Sequence, residues 1–260
     1  MLKVLVIGDI VGRPGRNAVK EYLQKNGDEY DFIIANGENA AGGRGITPQI
    51  VYDFFNYGVD VITLGNHVWD KKEIIEFIEH EPNLIRPANY PPQTPGKGAV
   101  IVKLASGVKI GVINLSGRIF LPSLDCPFRK AKKLIKELKK ETSLIIIDFH
   151  AEATSEKVAL GWFLDGQVSG VLGTHTHIQT ADERILPGGT AYISDIGMTG
   201  PRNSVLGMKK EAIIERFLTQ MPIRFEVAGG ETIFNAVSLN LDIQSGKCTK
   251  IKRIKEYFSA

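Results

Sequence analysis

Short runs of β-branched and aromatic residues alternate with amphipathic stretches through the first eighty residues. "KVLVIGD" (3–9) predicts a buried strand, and "GRNAVKEYLQKNG" (15–27) a helix that stops at a glycine. "YDFIIANGEN" (30–39) is a second strand, and "TPQIVYDFFNYG" (47–58) a helix with Thr47 as N-cap and Pro48 in its first turn. "VDVITLGNH" (59–67) and "DKKEIIEFIEH" (70–80) repeat the strand–helix alternation. Strands that are apolar throughout, with helices between them, imply a parallel sheet covered on both faces.

After residue 80 the pattern changes. The proline-rich stretch 81–98 cannot be regular over its length. "AVIVKL" and "KIGVINLSG", joined by "ASGV", predict a hairpin, and "RKAKKLIKELKKE" (129–141) a basic amphipathic helix. "SLIIIDFHAEATSEK" and "QVSGVLGTHTH" are further strands running into polar loops. "ETIFNAVSLNLD" and "CTKIKRIKEYF" alternate as antiparallel strands do. No repeat, low-complexity stretch or linker divides the chain, so residues 1–260 are expected to form a single domain on two sheets.

Composition narrows the function classes. With 43% hydrophobic and 23% charged residues, the 260-residue chain has the makeup of a globular protein with a sizeable core. A net charge of +3 gives no drive toward nucleic acid or an anionic membrane, and the lysines of 129–141 fit a solvated helix face. Stable nucleic-acid binding is therefore not expected. The two cysteines, Cys126 and Cys248, are far apart and suit a reducing compartment. The apolar start is too short for a signal-peptide core, and no apolar stretch reaches the ~18 residues of a membrane span. A cytoplasmic protein, free of the membrane, is expected.

The candidate chemistry gathers at strand ends. The first strand runs into Asp9, the second into Glu38 and Asn39, and the third into Asn66 and His67. Two later strands run into His150 and into the pair His175 and His177. Four of the five histidines belong to these motifs, and only His80, at a helix end, does not. In open α/β sheets, ligands bind beyond the carboxyl ends of the strands. Each motif alone is weak, but five of them at one edge predict a metal site. Gly8, Gly37, Gly65 and Gly173 precede them, as tight turns or close backbone approach require. Seven ligands, Asp9, Glu38, Asn39, Asn66, His150, His175 and His177, are too many for one zinc ion. Shared by two ions with Glu38 bridging, they give each a mixed nitrogen and oxygen sphere. That donor set, free of thiolate, suits iron or manganese, with zinc as the alternative.

The motifs "GDIV", "NGEN", "GNHVWD", "DFHAE" and "GTHTH" resemble, in order and spacing, those of the calcineurin-like metallophosphoesterases over residues 3–197. Two positions depart from that pattern. Val11 stands where the first motif normally carries a histidine, and Glu38 with Asn39 replace the aspartate of the second. "GDIVGRPGR", "NGENAAGGRGIT", "RPANYP", "DFHAEATSEK" and "GTHTHIQTAD" narrow the resemblance to the YmdB-like phosphodiesterases. It implies a four-layer αββα sandwich of two mixed β-sheets flanked by helices. One ion would be held by Asp9, Glu38, Asn39 and His177, and the other by Glu38, Asn66, His150 and His175. His67 matches the histidine facing the leaving group. Asp70 would either fix the His67 tautomer or serve as a plain N-cap.

The function implied is hydrolysis of phosphodiester bonds in cyclic nucleotides, the 2′,3′-cyclic ones in particular. Two cations about 3.5–4 Å apart would make hydroxide available near neutral pH, and His67 would protonate the departing oxygen. Arg13, Arg44 and Lys157 lie in nearby loops as weaker candidates for phosphate neutralisation. A broad phosphomonoesterase on the same site and a regulatory protein with vestigial activity are the alternatives, and homo-oligomerisation is left open. Amidohydrolases carry their HxH pair on the first barrel strand, whereas this one comes late. The "GDIVGRPG" glycines miss the G-x-G-x-x-G dinucleotide spacing.

Overall fold

The computed structural model describes residues 1–259. Its first half has strands β1 (Leu2–Ile7), β2 (Asp9–Ile10), β3 (Phe32–Asn36), β4 (Val61–Thr63) and β5 (Leu84–Ile85). Helices α1 (Gly12–Asn26), α2 (Pro48–Asn56) and α3 (Ile74–His80) connect them. The hairpin β6 (Ala99–Lys103) and β7 (Lys109–Ser116) is followed by α4 (Pro127–Leu138), β8 (Ile145–His150), α5 (Thr154–Phe163) and β9 (Gly170–Thr174). Then come β10 (Arg184–Ile185), β11 (Ala191–Ile193), β12 (Met198–Pro201), α6 (Lys210–Thr219), β13 (Thr232–Leu241) and β14 (Cys248–Phe258).

Two sheets result. The first has the order β2-β12-β13-β1-β3-β4-β5, with β14 paired to the outside of β13, and the second β10-β11-β9-β8-β7-β6. Pairings β1–β3, β3–β4 and β4–β5 are parallel, as the apolar runs predict, and so are β7–β8 and β8–β9. The β6–β7 hairpin and the β13–β14 tail are antiparallel. β13 also lies antiparallel to β1, so the C-terminal strands complete a sheet begun at residue 2.

Residue alternation explains the layering. Because successive strand side chains face opposite ways, Val4, Val6, Phe32 and Ile34 enter one core while Leu5, Ile7, Ile33 and Ala35 enter another. The former meet Ile110, Val112, Ile146 and Leu172 of the second sheet, and this forms the central layer contact. The latter meet Ala18, Val19, Tyr22 and Leu23 of α1 and Phe54 of α2. On the far side, Ile113, Leu115, Ile145, Ile147 and Phe149 pack against Ala131 and Ile135 of α4 and Leu160 of α5. Three cores between four layers make the expected αββα sandwich. Each is substantial, since truncating one buried aromatic such as Phe54 to alanine costs about 3–5 kcal/mol.

Several boundaries differ from expectation. Thr47 does cap α2, its Oγ1 accepting from Ile50 N–H at 3.4 Å. α3 starts at Ile74, four residues later than the charge pattern suggests. The proline-rich stretch contributes the two-residue strand β5 beside β4. α5 stands where the chain after His150 reads as a polar loop, and α6 lies in a stretch for which the sequence pattern predicts no element.

Candidate metal centre

A buried polar floor joins the two sheets beneath their carboxyl ends. Asp148 of β8 accepts hydrogen bonds from Asn36 Nδ2 (3.0 Å), Thr63 Oγ1 and Thr174 Oγ1 (2.7 Å). Asn114 Oδ1 accepts from Leu64 N–H at 3.4 Å. Burial raises the Asp148 carboxyl above its usual range, against the pull of His150 and these donors. The network fixes the strand ends on which the predicted ligands stand.

Above the floor, four donor atoms converge. Nε2 of His150 lies 2.9 Å from Glu38 Oε1, 3.0 Å from Asn66 Oδ1 and 2.9 Å from His175 Nδ1. One ring N–H cannot serve three acceptors at once. Such crowding of lone pairs is what a cation would resolve, and Glu38, His150 and His175 form a group able to hold a metal ion. Gly65 is required here, because a Cβ would strike Glu38 and His150.

Asp9, Asn39 and His177 lie beside this cluster. Asp9 Oδ2 accepts from His175 N–H at 3.1 Å, while its Oδ1 stands 4.0 Å from His177 Nε2 and 3.8 Å from His150 Nδ1. Among the described residues, Asp9 Oδ1 and Asn39 Oδ1 are buried without a hydrogen-bond partner. A buried carboxylate or amide oxygen left unpaired costs about 1–3 kcal/mol or more, and metal ligation removes that cost. The donor set therefore fits a metal ion, with oxygen and imidazole nitrogen in the mixture that hard-to-borderline cations take.

Each imidazole is aimed by its other nitrogen. His150 Nδ1 sits 3.0 Å from Thr174 Oγ1, which in turn donates to Asp148. His175 Nε2 is 3.1 Å from Glu152 Oε2, and His177 Nδ1 is 3.1 Å from the Leu206 carbonyl. A carbonyl can only accept, so His177 carries its proton on Nδ1 and leaves Nε2 free. Burial lowers the pKa of His150, but Glu38 and Asp9 outweigh it and raise the imidazole to about 9. Burial and the neighbouring His150 hold His175 down to about 3. Burial would raise Glu38, yet His150 and His67 bring it to about 2. Asp9 rises to about 6 through burial, opposed by His177 and His150. The shifts run in opposite directions within one buried cluster: Glu38 and His150 favour their charged forms, whereas Asp9 and His175 are held toward their neutral ones.

The histidine pair and Lys157 differ from expectation, and one of the two readings of Asp70 is removed. His175 and His177 do not share a strand face: β9 ends at Thr174, and both residues have positive φ, 100° and 67°. Such geometry costs roughly 1–3 kcal/mol per residue and persists only where neighbours enforce it. Here the buried pair Lys157–Asp195 (2.7 Å) does so, with Asp195 also accepting Thr176 N–H and Oγ1–H. Lys157 is consequently unavailable to a phosphate, whereas Arg13 and Arg44 are exposed. Finally, Asp70 does not cap α3; its Oδ2 lies 3.0 Å from His67 Nδ1, and His67 N–H donates to Glu38 Oε2 at 3.1 Å. Glu152, Thr174, Asp148 and the Leu206 carbonyl escaped sequence reasoning. Only Glu152, two residues after His150, carried a local signal.

A four-layer αββα sandwich with an oxygen and imidazole cluster at the joined carboxyl edges of its sheets defines a metallophosphoesterase of the calcineurin-like kind. A sequence profile for the YmdB-like protein family matches residues 5–254, so the chain belongs to that family. It is 58% identical over 255 residues to the 2′,3′-cyclic-nucleotide 2′-phosphodiesterase of Bacillus subtilis (strain 168), covering 97% of this chain and 96% of that one. A hypothetical protein from Thermus thermophilus has a similar crystal structure, with TM-score 0.93 and 41% identity over 98% of this chain and 99% of the other. The structure of a novel phosphatase from Mycoplasma pneumoniae superposes with TM-score 0.92 and 35% identity, covering 99% and 94%.

Proposed function

We propose that the chain hydrolyses phosphodiester bonds of 2′,3′-cyclic nucleotides at a centre of two metal ions, with residues 1–260 acting as one metallophosphoesterase domain. The convergence of Glu38, Asn66 and His175 on a single nitrogen of His150 carries this reading. Those four residues would hold one ion, and Asp9, Asn39, His177 and a shared Glu38 the other. Iron or manganese suits the donors best, with zinc as the alternative. Bound there, the ions supply Lewis acidity and a water acidified toward neutral pH. The likeness to the Bacillus phosphodiesterase supports the substrate class. Free Cys126 and Cys248 accord with work in the cytoplasm. Among the described residues no helix is long and apolar enough to cross a membrane.

The chain's own part begins with His67. His67 Nδ1 is held by Asp70 Oδ2, and the His67 backbone N–H ties the residue to Glu38. As the imidazolium, with Nδ1–H donated to Asp70, it would give the second proton, on Nε2, to the departing oxygen and be left as the neutral imidazole, a step worth about 10²–10⁴-fold. Glu152, Thr174 and the Leu206 carbonyl keep the three ligand imidazoles aimed. The test is hydrolysis of a panel of phosphomonoesters, linear diesters, and 2′,3′- and 3′,5′-cyclic nucleotides by protein of measured metal content. Activity greatest on 2′,3′-cyclic nucleotides and proportional to metal is expected. Preference for monoesters, or turnover unchanged by chelation, would overturn the proposal.

A further inference from the structure

The loop after β7 is closed at its base by a single buried side chain. Asn89 Nδ2 donates to the carbonyls of Ser116 (2.8 Å) and Asp125 (3.0 Å). Its Oδ1 accepts from Ser116 N–H at 2.9 Å, and its backbone carbonyl accepts from Asp125 N–H at 3.0 Å. Residues 117–124 therefore leave and return at one point, as do the compact surface loops that often carry function. The first residues of the loop are fixed as well. Gly117 N–H donates to the His150 carbonyl at 2.9 Å, and the buried Glu156 carboxylate accepts from Arg118 and Ile119 N–H at 3.1 and 3.4 Å. Beyond this neck one residue carries two costs. Phe120 has a φ of 62°, a left-handed conformation that bulky residues avoid, and its ring is 88% exposed. Packing within the chain offsets neither.

We infer that Phe120 is the platform on which the base of a bound nucleotide stacks, an inference that rests on the phosphodiesterase reading of the metal centre. β7 ends at Ser116, directly across from His150 of β8. From Gly117 to Phe120 the chain reaches at most about 10 Å, so the ring stays within a nucleotide's length of the centre. Strained residues collect at ligand clamps, where the surrounding structure holds them in place. Here Asn89 and Glu156 do the holding. Every nucleobase presents a π-face, and stacking on an aromatic ring requires no particular pattern of hydrogen bonds. The ring therefore serves nucleotides of any base, and purines, with the larger face, most. Arg118, also exposed, adds positive charge at the neck of the loop, which fits a nucleotide better than an apolar protein surface.

Kinetics and calorimetry on the metal-loaded full chain test this. Adenosine 2′,3′-cyclic phosphate is set against glycerol 1,2-cyclic phosphate, which has the same cyclic diester but no base. Phe120→Ala and Phe120→Gly are each expected to raise KM for the adenosine substrate by about 5–100-fold, with kcat nearly held. For the glycerol substrate kcat/KM should change much less. Glycine relieves the left-handed backbone, so a loss shared by both variants belongs to the ring, and Phe120→Trp should restore the adenosine KM. Calorimetry with adenosine 3′-phosphate needs no turnover and should show affinity weakened by a similar factor. An adenosine KM and affinity unchanged in Phe120→Ala, or equal losses on both cyclic diesters, would overturn the inference. So would a wild type that binds adenosine 3′-phosphate no better than glycerol phosphate. A wild type that turns over no cyclic nucleotide, yet loses adenosine 3′-phosphate affinity on Phe120→Ala, would support the stacking and remove the reading of the reaction.

Discussion

Around His150 Nε2, oxygen or nitrogen atoms of Glu38, Asn66 and His175 stand at 2.9–3.0 Å, whereas Asp9 Oδ1 and His177 Nε2 remain 4.0 Å apart and Asn39 Oδ1 has no partner. The first group crowds onto one ring nitrogen, whose single N–H can serve only one of the three. The second makes no such close contact and leaves two buried oxygens unpaired. In the proposed two-ion centre the halves would depend on a cation to different degrees. The His150 half is fixed by the Asp148 floor, while the Asp9 half would be completed only by a bound ion.

That contrast can be broken at its hinge. In the proposed arrangement Glu38 is shared by both halves, so Glu38→Ala is expected to abolish binding of both ions and reduce turnover below detection. Elemental analysis showing two ions retained would contradict the sharing. Asp9→Ala should cost one ion of two and lower turnover on the order of 10³-fold, leaving an ion among Glu38, Asn66, His150 and His175. Loss of both ions would mean the halves are not separable. His67→Ala touches neither half through its side chain. Metal content should stay at the wild-type level while turnover falls by about 10²-fold or more on poor leaving groups, and much less on a nitrophenyl diester. Equal losses on both substrates would count against a proton-donor role. The smallest effect is expected from Glu152→Gln, which keeps the side chain's size but weakens the hold on His175 Nε2. Metal affinity should drop by about 10–100-fold with His177 and Asp9 unaffected, as read by titration with a competing chelator.

The same contrast marks how far sequence reasoning reached. Asp9, Glu38, Asn66, His150 and His175 were legible because each follows an apolar strand, and parallel strands must deliver their ends to one edge. The devices that aim them were not. The Leu206 carbonyl reaches His177 from an excursion 29 residues further along, and Asp148 looked like a strand residue rather than the anchor of three side chains. α5 was missed because its inner face carries Glu156, Lys157 and Gly161, which blurs the apolar pattern. Lys157 is polar but buried, and pairs with Asp195. Glu156 caps the backbone N–H groups of Arg118 and Ile119, and Gly161 admits the ring of Tyr192. α6 carried a local signal that was not read, since Ile214, Phe217 and Leu218 follow helical spacing, although in the fold all three are exposed and only Ile213 is buried.

The positive φ angles of His175 and His177 were equally out of reach. "GTHTH" after a strand suggests two imidazoles on one face, but a strand would set both side chains toward the same side at a fixed spacing. The loop lets one reach His150 and the other approach Asp9. Lys157 and Asp195, lying beneath it, make that conformation stable.

Anomalous diffraction from a crystal of this protein grown with manganese tests the central claim most directly. The account predicts two peaks, one within coordination distance of Glu38, Asn66, His150 and His175, and one within reach of Asp9, Asn39 and His177. A single peak, or peaks away from these side chains, would contradict it.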